Sequence, residues 1–167
     1  MRLVLVFLAA LAAHVALRAS HLWWVFAACQ PLLLVVVASA RTLPPVSTAW
    51  VGLGAGLAMD VVSGRVIGPG GIAGAAAGSA VSLLVRRLEL EGPLFWIVGS
   101  LATAACSEGL WLALVATLGI VPDHGWLGLL ATVAMTAAVG LLVASAERGL
   151  HALRSPERAR RRLLKRL

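Results

Sequence analysis

Few side chains in this chain could do chemistry, and most of them lie inside apolar runs. Asp60 follows Gly56-Leu-Ala-Met and precedes Val-Val-Ser63-Gly64-Arg65, at the end of such a run. An acid near a membrane interface costs less than one at the bilayer centre, but it still needs a partner. It can satisfy backbone N–H groups of the loop that follows, or it can meet a substrate or partner protein. Arg65, five residues on, is close enough in sequence to reach back to it. Glu108 falls within the long apolar run 93–121, and His14 within the first run. A Glu/His pair would suit a proton relay or a cation site, and the plainer reading is a single interhelical hydrogen bond. Cys29 and Cys106 also sit in apolar runs and lack metal-ligand spacing, so small packing residues are expected. Gly52-Leu-Gly54-Ala-Gly56 mimics a dinucleotide-binding turn, but it follows no strand and opens no βαβ unit. There is no HExxH, nucleophile elbow or Walker loop, and no convincing Ser/His/Asp set. No catalytic residue, metal site or cofactor is therefore expected.

What does repeat is smallness. Gly52, Gly56, Asp60, Gly64 and Gly68 recur every four residues, and Gly70, Gly74 and Gly78 repeat the spacing in the next run. In lipid there is no hydrophobic drive between helices, so small-xxx-small stripes bring backbones close and supply packing. The stripe predicts close helix contacts, within a bundle or to a partner helix.

The elements that must carry these residues are helices in a membrane. Apolar residues make up 60% of the 167, charged residues only 13%, and mean hydropathy is +0.96. A soluble domain is about 45–50% apolar and about 25% charged, which excludes a soluble fold, and disorder is excluded by the same hydrophobicity. Apolar runs at 3–19, 22–40, 46–62, 70–85, 93–121 and 126–147 are broken by Arg, Gly and Pro. They predict an all-α, polytopic membrane protein with about six spans, each near the ~20 residues a bilayer requires. Residues 1–150 form that transmembrane domain. The first run reads as a retained span and not a signal peptide, because a second apolar run follows almost at once. With both termini in the cytoplasm, Arg2, Arg41, Arg86, Arg87 and the eight basic residues from Arg148 onward lie inside, and only Arg18 and Arg65 lie outside. The net charge of +7 thus follows from topology, and nucleic acid is not an expected partner. Residues 151–167 read as a basic tail starting at Ser155-Pro156. In it Ala159, Leu163, Leu164 and Leu167 alternate with Arg158, Arg160, Arg161, Arg162, Lys165 and Arg166. A short amphipathic helix lying on anionic lipid headgroups is expected, or a docking arm for a cytoplasmic protein.

Gly56-Leu-Ala-Met-Asp60-Val-Val-Ser-Gly64-Arg-Val-Ile-Gly68 resembles the signature of the bacterial rod shape-determining membrane protein family MreD. Gln30-Pro31-Leu-Leu-Leu, with Arg41 and Pro44, is similar to that family's second span and inner loop, and Arg86-Arg87 closes the fourth run as in the family. Leu32 stands where the family often has Asp. The resemblance implies a non-enzymatic inner-membrane subunit of the cell-elongation (rod) complex. Its partners would be MreC directly, with MreB, RodA and a class B penicillin-binding protein in the same complex that builds peptidoglycan. It also implies a fold like the six-span substrate-binding subunit of energy-coupling-factor transporters. That likeness supplies an alternative, a membrane subunit capturing a vitamin or metal. The short outer loops, offering mainly Asp60, Arg65, Asp123 and His124, favour the scaffold.

Overall fold

The computed structural model describes residues 2–19, 30–121 and 126–164, with side chains within 3–16, 30–121 and 127–149. Among them every regular element is helical: α1 (Arg2–Ala19), α2 (Pro31–Ala40), α3 (Pro45–Ser63), α4 (Pro69–Arg87), α5 (Gly92–Thr117) and α6 (Trp126–Leu164). Pro opens α2, α3 and α4 at the first helical position, where its missing N–H costs nothing. α3 ends at Gly64, whose left-handed φ of 63° lets Gly64 N–H reach Val61 O and Arg65 N–H reach Asp60 O.

α2 is the centre of the bundle and touches every other helix. Its ten residues bury Leu32, Leu33, Val35, Val36, Val37, Ser39 and Ala40. Phe95, Val81, Ala55 and Ala104 complete the core around it. A helix apolar on all sides belongs in the middle of other helices. α1 and α6 instead turn large apolar side chains outward, with Leu127 83% and Leu142 67% exposed. In water such a surface would drive aggregation; in a bilayer it is solvated by lipid tails.

Among the described residues three helical segments are long and apolar enough to cross a membrane: Pro45–Ser63, Gly92–Thr117 and Leu127–Gly149. The run at 22–40, expected as one span, is helical among the described residues only from Pro31. α1 runs 18 residues, close to the length a span requires. α4 matches α3 in length, but its glycines, serines and closing Arg86-Arg87 lower its hydropathy. The tail differs as well. No new helix begins at Ser155-Pro156, because α6 continues unbroken from Trp126 to Leu164.

Candidate functional site

α3 and α4 form an antiparallel hairpin and are the most closely packed pair of helices. The glycines are the reason. A Cβ placed on Gly52 would fall 2.0 Å from the Gly74 carbonyl oxygen, and one on Gly56 would fall 1.9 Å from that of Gly70. Gly78 is equally closed, with the Thr48 carbonyl oxygen 2.5 Å from its Cβ position. These backbones touch, and no other residue fits. The stripe is therefore occupied inside the molecule at Gly52, Gly56, Gly70, Gly74 and Gly78. Gly64 and Gly68 leave it, since both lie in the turn with positive φ (63° and 128°). The four-residue spacing runs on through them in sequence, but the helix has already ended at Ser63.

Asp60 lies at the closed end of this hairpin and is 1% exposed. Its Oδ2 accepts the Gly68 N–H at 3.0 Å and the Gly70 N–H at 2.9 Å. Pro69, between them, has no N–H to offer. The carboxylate of one helix thus caps the first turn of the next, where unpaired N–H groups and the positive end of the helix dipole meet. Gly70 must be small for this, because its Cβ would lie 2.2 Å from Asp60 Oδ1. Of the two roles open to Asp60, the geometry displays the backbone-capping one. The Arg65 charge also acts on the carboxylate, while its guanidinium carbon sits 4.3 Å from the centre of the Trp111 ring. The loop after α3 is held down on α5 in this way.

A second polar group lies deeper. Gln30, at the N-cap of α2, donates from Nε2 to Oε1 of Glu108 on α5. Gln30 is 3%, Glu108 6% and Trp111 7% exposed. Glu108 thus takes an amide partner in Gln30. His14 is itself buried. Gln30 was legible only as part of a sequence pattern, because its partner is 78 residues away.

At the opposite end, both oxygens of Glu147 are engaged. Arg41 NH1 lies 2.8 Å from Oε1, and Trp96 Nε1 donates to Oε2 at 2.6 Å. Arg41 also stacks over Phe95, with 5.6 Å between guanidinium carbon and ring centre. Arg86 and Ser82 of α4 both donate to the Leu43 carbonyl. The fold thereby gathers Arg41, Arg86 and Glu147 at one end, away from Asp60. Glu147 carried no motif, and its one sequence signal is an acid closing an apolar run in a chain rich in Arg. Cys106 is a free, half-buried thiol on α5. Cys29, Asp123, His124, Lys165 and Arg166 lie outside the described residues, and the side chains of Arg158, Arg160, Arg161 and Arg162 do too. Among the described residues no group of three or more His, Cys, Asp or Glu could hold a metal.

The site is therefore a capped, glycine-packed hairpin with one buried amide–carboxyl pair beside it. Asp60 holds backbone N–H groups of the next helix, and Gln30 and Glu108 hold each other. Compared with models of known protein families, with characterised proteins and with solved structures, the chain matches none.

Proposed function

We propose that this chain is a non-catalytic integral membrane subunit of the cell-elongation complex, binding MreC and acting with MreB, RodA and a class B penicillin-binding protein in controlling peptidoglycan synthesis and cell shape. The observation that carries the reading is the use made of the residues behind the family resemblance. Gly56, Asp60, Gly64 and Gly68 all build or close one rigid hairpin, as a scaffold needs. The chain would span the cytoplasmic membrane six times with both termini inside. The gathering of Arg41 and Arg86 at one end, opposite Arg65, supports that orientation. Since Gly52, Gly56 and Gly74 already touch within the molecule, the span of MreC would meet the outward side of the hairpin. Trp50, Val61 and Ile72 are exposed there at 68%, 61% and 56%.

A second reading, the substrate-binding subunit of a vitamin transporter, is favoured by the buried Gln30–Glu108 pair. Affinity purification from native membranes separates the two. Recovery of MreC, reduced by Ile72→Arg on the outward face but not by Ile120→Arg, is the expected result. Recovery of a transport ATPase in place of MreC would overturn the scaffold reading.

A further inference from the structure

Among the described residues three buried polar side-chain atoms are left without a partner. Gln30 Oε1 and Trp111 Nε1 have no hydrogen-bond partner. Thr136 Oγ1 is a third such atom, but a hydroxyl on a helix can turn to a carbonyl of its own preceding turn. The other two have no such freedom. Gln30 is anchored through Nε2 on Glu108, which fixes the direction of its Oε1. The Trp111 indole is held by Arg65 on its face and packs with Ala73 and Val115.

Both orphans attach to one stretch of α5, Gln30 through Glu108 and Trp111 three residues on. On a helix, a long side chain covers the turn N-terminal to its own Cα. For Trp111 that is the turn of Ser107 and Glu108, which also holds Gln30. Gln30, through Glu108, and Trp111 are thus attached to α5 at positions one helical turn apart, and both side chains are buried. Leaving their hydrogen bonds unmade is more costly in a membrane than at a wet surface. Buried polar groups of native proteins are nearly all satisfied, by protein, by ordered water or by a bound species.

Its chemistry follows from the pair. A cation would suit Gln30 Oε1 but not the Trp111 N–H. An anion would suit Trp111 but would lie against Glu108. A hydroxyl both donates and accepts, and its uncharged neighbours enter an apolar bundle at low cost. We propose that Gln30, Glu108 and Trp111 form a binding site for an uncharged, hydroxylated group, the polyol or sugar of a lipid headgroup or of a free saccharide. The inference goes beyond the scaffold reading, and its readout does not involve partner recovery.

The test uses the full chain in phosphatidylcholine nanodiscs, doped with monoglucosyl diacylglycerol, a neutral lipid that leaves the basic tail out of the comparison. Native mass spectrometry counts retained glucolipid. Wild type retains it in preference to phosphatidylcholine. Trp111→Phe keeps the ring against Arg65, removes only the N–H, and lowers retention about tenfold, the loss of one hydrogen bond of ordinary strength. Gln30→Leu lowers it as much, and Trp50→Phe, on the exposed face, leaves it unchanged. Thermal unfolding in plain phosphatidylcholine shows that the variants are folded; there Trp111→Phe melts no lower than wild type, because no bond is lost. Competition by free glucose would identify a soluble saccharide as the source, and its absence together with glucolipid retention a lipid-borne one. Equal retention of glucolipid in wild type, Trp111→Phe and Gln30→Leu, or no preference over phosphatidylcholine, would overturn the site and leave water as its occupant.

Discussion

Asp60 uses a single oxygen to hold two N–H groups of the next helix, and substitutions there separate charge from capping. Alanine strands the Gly68 and Gly70 donors in a site that is 1% exposed, at about 1–3 kcal/mol for each unsatisfied group. Asparagine keeps an acceptor oxygen and ranks beside Asp as a cap. It loses the charge, worth about 0.3–1 kcal/mol at a helix N-terminus. Asp60→Ala is therefore expected to lower the unfolding midpoint in detergent clearly, with Asp60→Asn between it and wild type. Glu108→Gln keeps an oxygen facing Gln30 and should fall closest to wild type. An Asp60→Ala protein melting like wild type would remove the cap from the account. The choice between capping and partner contact could not be made from residues 56–68 alone. It depends on the chain reversing so that Gly68 and Gly70 return to Asp60, and local sequence does not encode where a turn comes back to.

The α3–α4 hairpin makes a contrast between neighbouring glycines on one helix. Gly56 has the Gly70 carbonyl carbon 2.5 Å from its Cβ position, whereas Gly54 has nothing within 4 Å. Gly56→Ala must drive two backbones apart, and overpacking of this kind costs about 1–3 kcal/mol or more. Gly54→Ala meets open space and gains helix propensity, about 0.5–1 kcal/mol in a helix interior. Opposite shifts in the unfolding midpoint are expected, and a common sign would show that the close approach does not limit the hairpin. The helix-packing part of this was legible because a period of four is what close backbone contact requires. The element boundaries were less so. Gly64 and Gly68 continue the period but serve the turn, because a left-handed C-cap and a packing glycine are the same residue type. The apolar run 22–40 reads as one span by hydrophobicity, yet Gln30-Pro31 interrupts it, and Pro at a first helical position is the signal that marks the start of α2. Trp96, Arg41 and Glu147 meet across 51 and 106 residues of sequence, a separation at which no spacing rule operates.

At the scale of the whole molecule, Glu147 fixes the place where α6 leaves the bundle. The Arg41–Glu147 pair is partly exposed, at 47% and 26%, so its energetic value is modest, about 0–1 kcal/mol. Its geometric value is larger, because two contacts on one carboxylate set the rotation and direction of α6 close to Gly149. The helix then continues to Leu164, which at 1.5 Å per residue is about 22 Å further. A helix leaving along the bundle axis would carry Arg158, Arg160, Arg161 and Arg162 well beyond the ~8 Å over which headgroup charge is felt at physiological salt. The proposed contact with anionic lipid therefore needs α6 to bend, and the sequence supplies one place for it. A proline inside a helix offers no N–H to the carbonyl four residues earlier and its ring clashes with that carbonyl, which kinks or loosens the helix, and Pro156 is the proline in this part of the sequence. Pro156→Ala should straighten the arm and lift it from the surface. With an environment-sensitive fluorophore on Leu163→Cys in nanodiscs, emission is expected to shift to the blue when anionic lipid is added, to return in high salt, and to shift less in the Pro156→Ala background. If anionic lipid produces no shift with Pro156 present, the arm stands in the cytoplasm and its arginines are free for an acidic protein surface.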